Sequence, residues 1–91
     1  MTARHLRIHG RVQGVFYRNW TEQTARSLGL SGWVRNCMDG TVEAVVAGEA
    51  EDVRTFIALA HEGPAAARVA RIEESEEAEV EYEGFAIRPT Q

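Results

Sequence analysis

The chain has no lysine, and all ten of its lysine-or-arginine positions are arginine. This absence excludes Schiff-base chemistry, pyridoxal-phosphate enzymes and the Walker-type phosphate loop, because each of these depends on a lysine amine. Any anion that the protein binds must therefore be held by a guanidinium group or by backbone N–H groups.

Cysteine and long apolar runs are also scarce. The single Cys37 excludes an internal disulfide bond and any cysteine-rich zinc site. No apolar run approaches the roughly 18 residues that a membrane-spanning helix needs, and the first residues lack the apolar stretch of a signal peptide. We therefore expect a cytoplasmic protein with no membrane partner.

Size and net charge narrow the possible functions further. The 91 residues suit one domain, residues 1–91, whose core can form without a metal or a disulfide staple. The net charge of −4 argues against a nucleic-acid surface as the main function. We therefore expect no nucleic-acid partner.

Charge is unevenly distributed along the chain. The first eighteen residues hold four arginines and no acid, whereas segment 73–83 is rich in glutamate. Such a run is most simply a solvated edge or loop that keeps a domain soluble. Its acidic residues are Glu73, Glu74, Glu76, Glu77, Glu79, Glu81 and Glu83.

Hydrophobic periodicity predicts the order of helices and strands. Alternation of apolar and polar residues indicates a strand, and apolar residues three and four apart indicate a helix. Gly29 and the pair Gly63-Pro64 are typical of helix ends, and Asp39-Gly40 is typical of a hairpin turn. The predicted elements are strand 4–12, loop 13–17, helix 18–28, strands 31–36 and 41–47, helix 49–61, and strands 68–74 and 85–88, with 76–83 ambiguous.

This order predicts an α+β fold, the ferredoxin-like split βαβ sandwich, in which two helices cover one face of an antiparallel sheet. The connection rules make the first two strands parallel, with the third strand inserted between them. The 13–17 loop and Asn36 then lie at the same edge of the sheet, about 10 Å apart at the backbone. Side chains from both strand ends can meet there over one small ligand.

The loop at this edge has the features of an anion site. Gly14 allows a positive φ that turns successive N–H groups into one concavity. The loop leads into a helix N-terminus, which favours phosphate, and Arg18 adds a planar guanidinium at that point. An isolated glycine-containing loop is nevertheless more often an ordinary turn beside a surface arginine.

Two stretches of the sequence resemble the signature motifs of the acylphosphatase family. They are Gly10-Arg11-Val12-Gln13-Gly14-Val15-Phe16-Tyr17-Arg18 and Gly32-Trp33-Val34-Arg35-Asn36-Cys37-Met38-Asp39-Gly40-Thr41-Val42, continuing to Gly48. The resemblance implies an enzyme of this sandwich fold that hydrolyses acyl phosphates, which are small molecules, to a carboxylate and orthophosphate, with no metal or other cofactor. We expect this enzyme to be a monomer.

The resemblance also implies a role for individual residues. Arg18 matches the phosphate-binding arginine, and Asn36 matches the asparagine that positions the attacking water. Thr41 matches a position that supports the site without taking part in the chemistry. The backbone of the phosphate-binding loop is provided by Gln13, Gly14, Val15, Phe16 and Tyr17.

The sequence argues against two other kinds of site, a cysteine phosphatase site and a histidine metal site. A cysteine phosphatase needs an arginine six positions after its nucleophile, and counting from Cys37 reaches Glu43. His5 and His9 share one face of the first strand, but no carboxylate is near them in sequence. We therefore expect a solvated basic surface there and not a metal site.

A non-catalytic binding module is the main alternative function, because this fold alone does not determine activity. RNA binding needs exposed aromatic side chains on the central strands. The outward residues of strand 41–47 offer no such platform; they are Thr41, Glu43, Val45 and Ala47. A regulatory anion sensor that uses the same phosphate pocket without turnover is a second alternative.

Overall fold

The computed structural model describes residues 1–78 and 81–91, and every predicted helix and strand is present within two residues of its expected bounds. Glu79, in the glutamate-rich segment, lies outside the described residues. The elements are β1 (Thr2–Arg11), α1 (Tyr17–Ser27), β2 (Ser31–Asn36), β3 (Val42–Gly48), α2 (Ala50–Ala60), β4 (Arg68–Glu76) and β5 (Phe85–Ile87).

The strands form one sheet in the order β4-β1-β3-β2-β5. Strand β3 lies between β1 and β2 and is antiparallel to both, so β1 and β2 are parallel to each other, as predicted. The predicted ferredoxin-like α+β fold is confirmed. The antiparallel pattern does not extend to β5, which pairs in parallel with β2 and makes the sheet mixed.

One face of the sheet packs against the two helices. Val42, Ala44 and Val46, the residues predicted to face inward, are fully buried. They pack in one cluster with residues of the helices, including Val53 and Phe56 of α2. Each helix contributes one apolar stripe, which is the pattern that predicted it. Both helices have eleven residues, and among the described residues no helix is long and apolar enough to cross a membrane.

The opposite face of the sheet is less exposed than expected. Glu43, Val45 and Ala47 were predicted to point outward into solvent, yet all are buried. Side chains of the neighbouring strands contact Glu43, among them those of His5 on β1 and Arg35 on β2. Trp33 is also buried there, with the guanidinium carbons of Arg35 and Arg88 at 4.8 and 4.6 Å from its ring centroid.

The prediction that His5 and His9 form a solvated basic surface without carboxylates is wrong. His5 Nε2 lies 2.6 Å from a carboxylate oxygen of Glu43 on β3, and His9 pairs with Glu73 on β4. Sheet pairing brings these carboxylates to β1 from more than thirty residues away in the sequence, which local reasoning did not anticipate. Within residues 1–78 and 81–91, no group of three or more His, Cys, Asp or Glu side chains is arranged to hold a metal ion.

The glutamate-rich segment starts on an exposed edge of the sheet. Strand β4 is the outermost strand on its side, and Glu73, Glu74 and Glu76 on it are exposed. The expectation of a solvated edge is confirmed for these residues. Charged side chains on an edge strand also discourage pairing with the sheet of another molecule.

Candidate active site

A cavity of about 320 Å³ lies at the sheet edge where the parallel strands β1 and β2 both end. Arg18 and Asn36, which the topology was expected to bring to one edge, line it together. The whole set of lining residues is Val12, Gly14, Phe16, Tyr17, Arg18, Asn19 and Asn36.

The loop before α1 is held by apolar side chains that point into the core. Val12, Val15 and Tyr17 are buried, and the Tyr17 hydroxyl donates a 2.6 Å hydrogen bond to the carbonyl of Ala60. These anchors alternate with residues that do not enter the core. The loop therefore has a fixed path over the end of the sheet.

Two residues of the loop have left-handed backbone conformations. The φ angle of Gly14 is 73° and that of Phe16 is 66°. Residues that alternate between left- and right-handed conformations direct their N–H groups into one concavity, which suits an anion. Gly14 was expected to have a positive φ. No feature of the sequence predicted one for Phe16, because aromatic residues rarely adopt this conformation.

Helix α1 adds further backbone donors to the cavity. Its first hydrogen bond runs from Trp20 N to Phe16 O at 3.0 Å, so the preceding N–H groups are those that a helix start leaves without partners inside the helix. The first turn contains no acidic residue. The positive end of the helix dipole is thus available to an anion.

Arg18 lies in this first turn and is half-buried. Among the ion pairs of the described residues, none involves its guanidinium group. The cavity therefore combines a helix N-terminus with a guanidinium group that forms no ion pair within residues 1–78 and 81–91. Both favour a bound anion.

Asn36 is the last residue of β2 and pairs with Val42 of β3. Its backbone carbonyl accepts a 3.1 Å hydrogen bond from Gln91 N. Its side-chain Oδ1 is one of two buried side-chain polar atoms that lack a hydrogen-bond partner in the described part of the chain. A buried acceptor without a partner is unfavourable, and such atoms are often found where a ligand or water binds.

Gln13, Val15 and Thr41, which were also expected at the site, do not line the cavity. The side-chain amide of Gln13 instead donates 2.8 Å hydrogen bonds to the carbonyls of Cys37 and Thr41. It therefore ties the loop before α1 to the turn between β2 and β3. Sequence reasoning assigned only the backbone of Gln13 and missed this contact.

Thr41 contacts the loop through its main chain and the open face of the sheet through its hydroxyl. The hydroxyl accepts a 2.9 Å hydrogen bond from Arg7 Nη1 and donates one of 2.6 Å to Asp39 Oδ1. Asp39 also accepts a hydrogen bond from Thr41 N. The hydrogen bond from the Thr41 hydroxyl, and next the one from Thr41 N, hold the pKa of Asp39 below its ordinary value. Asp39 is thus the turn residue that was predicted.

Val12 and Asn19 line the cavity although the sequence did not identify them as site residues. Val12 is a buried residue directly after β1, and Asn19 follows Arg18 in the first turn of α1. A signal for both was their position next to the loop. Neither brings a charge to the cavity.

The lining residues include no carboxylate and no imidazole. Besides Arg18, whose guanidinium group stays protonated, the titratable lining residue is Tyr17, and burial raises the pKa of its phenol far above the ordinary value. Its hydroxyl proton is already donated to Ala60 O. The cavity therefore offers electrostatic binding and hydrogen bonding, and no side chain suited to exchange protons near neutral pH.

Comparison with known proteins identifies the family. The family model described as Acylphosphatase matches residues 4–87. The chain belongs to the acylphosphatase family. A relative named Acylphosphatase in Acidovorax sp. (strain JS42) is 55% identical over 88 residues, which cover 97% of this chain and 91% of the relative.

Solved acylphosphatase structures have the same fold. The enzyme from Coxiella burnetii superposes with a TM-score of 0.92 at 36% identity, covering 96% of this chain and 92% of the other. The acylphosphatase from Bacillus subtilis superposes with a TM-score of 0.93 at 30% identity, covering 97% and 99%. The protein is accordingly an acylphosphatase, a hydrolase that acts on acyl phosphates.

Proposed function

We propose that this acylphosphatase cleaves the carboxyl–phosphate bond by in-line attack of a water molecule on the phosphoryl group. Asn36 holds the water, and Arg18 and the backbone of residues 13–17 bind the phosphoryl group. The observation that carries the proposal is that Arg18 and the unpartnered Asn36 Oδ1 belong to one cavity. The geometry around that cavity supports the roles proposed for the individual residues.

Arg18 and the loop amides provide the binding. Phosphoryl transfer proceeds through a loose transition state with negative charge on the equatorial oxygens, so its catalysis depends mainly on positioning and electrostatic stabilisation. In this proposal the guanidinium group and the loop N–H groups stabilise that charge, and the residues that line the cavity include no competing carboxylate. Because these donors are fixed before the substrate arrives, little reorganisation is needed.

Asn36 positions the attacking water in this mechanism. A water that donates one hydrogen bond to Oδ1 supplies that buried acceptor with its missing partner. The oxygen lone pair of the water is then free to approach phosphorus. The proton released in the attack passes to a phosphate oxygen, so no protein base is needed.

The leaving group explains why the cavity works without an acid. An acyl phosphate releases a carboxylate, which is stable as an anion at neutral pH and needs no proton to depart. A phosphate monoester releases an alkoxide, which is a much poorer leaving group and requires a general acid. The cavity has no such acid, which favours acyl phosphates over monoesters as substrates.

Five further properties stay predictions. They are the monomeric state, the cytoplasmic location, the absence of a nucleic-acid partner, the independence from metal and the single domain over residues 1–91. The net charge of −4 supports the absence of a nucleic-acid partner. The free, buried Cys37 suits a reducing compartment.

The test separates binding from chemistry with two variants, assayed on benzoyl phosphate in the presence of a chelator. Arg18→Ala is expected to lower kcat/KM by at least about 10²–10³-fold and to weaken competitive inhibition by orthophosphate, because it removes a preorganised donor. Asn36→Ala is expected to lower kcat by about 10²-fold while orthophosphate still inhibits.

Arg54→Ala is the control, because Arg54 is exposed on α2, away from the cavity. Urea unfolding of each variant shows whether the fold is intact. Unchanged orthophosphate inhibition in Arg18→Ala would contradict the binding role. Loss of orthophosphate affinity together with rate in Asn36→Ala would make Asn36 a ligand-binding or structural residue.

A further inference from the structure

Phe16 is exposed to an unusual degree for an aromatic residue, at 77%. Only a few large hydrophobic residues of the described chain are exposed: Met1, Phe16, Met38, Leu59 and Ile87. Of these, Phe16 is the one that lines the cavity with Arg18 and Asn36. Its apolar surface therefore lies at the proposed site of catalysis.

The backbone of Phe16 makes this placement more unusual. It is the single non-glycine residue with a positive φ in residues 1–78 and 81–91. The left-handed conformation is unfavourable for a bulky side chain, and glycine or asparagine adopts it more easily. The ring also makes no part of the buried core cluster. The fold therefore gains no core packing from an aromatic side chain at this position.

A bound substrate can provide the apolar contacts that the exposed Phe16 ring lacks in the free protein. When the phosphoryl group lies against the loop amides and Arg18, the acyl group has to extend from it toward the open part of the cavity. The neighbouring lining residues Val12 and Tyr17 are apolar or aromatic, and Arg18 is the single charged lining residue. A charged acyl group finds no carboxylate and no second cation there, whereas an apolar one finds the Phe16 ring.

We propose that Phe16 is a specificity-determining residue that packs against the acyl group, so that the enzyme prefers acyl phosphates with large apolar or aromatic acyl groups over acetyl phosphate. This inference rests on the proposed function, because it needs the phosphoryl group in the Arg18 cavity. Contact between an acyl group and the ring removes apolar surface of both from water.

The test compares the ratio of kcat/KM for benzoyl phosphate to kcat/KM for acetyl phosphate in three proteins. Phe16→Asn removes the ring but keeps a residue that tolerates a positive φ. Phe16→Tyr keeps the ring. We expect the ratio to fall about tenfold in Phe16→Asn and to stay within about twofold of the wild type in Phe16→Tyr, in line with the discrimination that apolar contacts provide.

The ratio is the quantity that decides, because a change in the loop backbone lowers turnover of both substrates alike and leaves the ratio unchanged. An unchanged ratio in Phe16→Asn, or an equal fall in Phe16→Tyr, would overturn the assignment of Phe16. Either result would leave the roles of Arg18 and Asn36 intact. Full activity of Arg18→Ala on both substrates would instead overturn the proposed function, and the inference about Phe16 with it.

Discussion

At the scale of single residues, the carboxamide of Gln13 joins the two segments that carry Arg18 and Asn36. Its two 2.8 Å hydrogen bonds end on the carbonyls of Cys37 and Thr41, just after β2 and just before β3. Both carbonyls also accept backbone hydrogen bonds, from Gly40 N and Cys37 N respectively. The turn can therefore form without Gln13, and the contribution of Gln13 is to set the distance between the turn and the loop.

Gln13→Met keeps the length of this side chain and removes its donors. We expect kcat to fall about tenfold or more, because a small displacement of the loop relative to Asn36 misplaces the water and the phosphoryl group. The free energy of unfolding should fall by about 1–2 kcal/mol for the lost hydrogen bonds. Steady-state kinetics and urea unfolding measure the two effects.

Gln23→Met is a suitable control, because it makes the same substitution at an exposed position in α1, the helix that follows the loop of Gln13. It should alter neither kcat nor stability by more than a small amount. A Gln13→Met protein that loses stability but keeps the wild-type kcat would show that Gln13 stabilises the fold without positioning the site.

At the scale of helices and strands, burial made prediction from the sequence possible. Each helix packs one face against the core, and alternate residues of β1 and β3 belong to the same core cluster, so their apolar residues recur with the period of the element. The meeting of Arg18 and Asn36 at one edge followed from the element order and the connection rules. The three-residue strand β5 is too short for a period, and its parallel pairing depends on contacts made only in the folded chain.

Other features of the site depend on tertiary structure in the same way. The positive φ of Phe16 is contrary to the backbone preference of an aromatic residue, so the sequence does not predict it. The hydrogen bonds of Gln13 reach carbonyls that are 24 and 28 residues away. The buried Glu43 is paired with guanidinium groups from two neighbouring strands, those of Arg7 and Arg35.

The chain beyond β5 continues along β2 and reaches the end that carries Asn36. Arg88 N donates to Val34 O at 2.8 Å, and Gln91 N donates to Asn36 O at 3.1 Å. This row of hydrogen bonds fixes the backbone from which the Asn36 side chain extends. A residue that does not line the cavity therefore contacts the backbone of Asn36, the residue that we propose holds the attacking water.

Gln91→Pro removes the N–H group that bonds to Asn36, whereas Gln91→Ala keeps it. Both remove the side chain that accepts a 3.0 Å hydrogen bond from Arg35. We expect kcat to fall about fivefold in Gln91→Pro relative to Gln91→Ala, as the loss of one hydrogen bond predicts. Orthophosphate inhibition should be similar in the two variants. Equal kcat values would show that this bond does not position Asn36.

At the scale of the whole molecule, Glu43 connects three strands on the face of the sheet that the helices leave open. Its Oε1 accepts a hydrogen bond from Arg35 Nε and lies 2.8 Å from Arg35 Nη2. Its Oε2 lies 2.6 Å from His5 Nε2 and 3.5 Å from Arg7 Nη2. Cys37 Sγ is 3.7 Å from Oε1. Because Arg7 also donates to Thr41, this cluster is linked to the turn that Gln13 holds.

Burial alone would raise the pKa of Glu43, but the hydrogen bonds from His5 and Arg35 and their positive charges outweigh it, and the pKa lies below its ordinary value. A carboxylate whose pKa is lower in the folded than in the unfolded state stabilises the fold at pH values above the unfolded-state pKa of about 4.3. This contribution is lost as the pH falls through the folded-state pKa.

Glu43→Gln removes the negative charge that the arginines face. We expect it to lower the free energy of unfolding by about 2 kcal/mol at pH 7, where Glu43 of the wild type is ionised. The difference between the two proteins should shrink as the pH is lowered below about 4, because the wild type then loses the same charge. Urea unfolding at a series of pH values measures it, with the exposed Glu62→Gln as the control. A difference that stays constant from pH 7 to pH 3 would mean that Glu43 stabilises the sheet by packing and not through its charge.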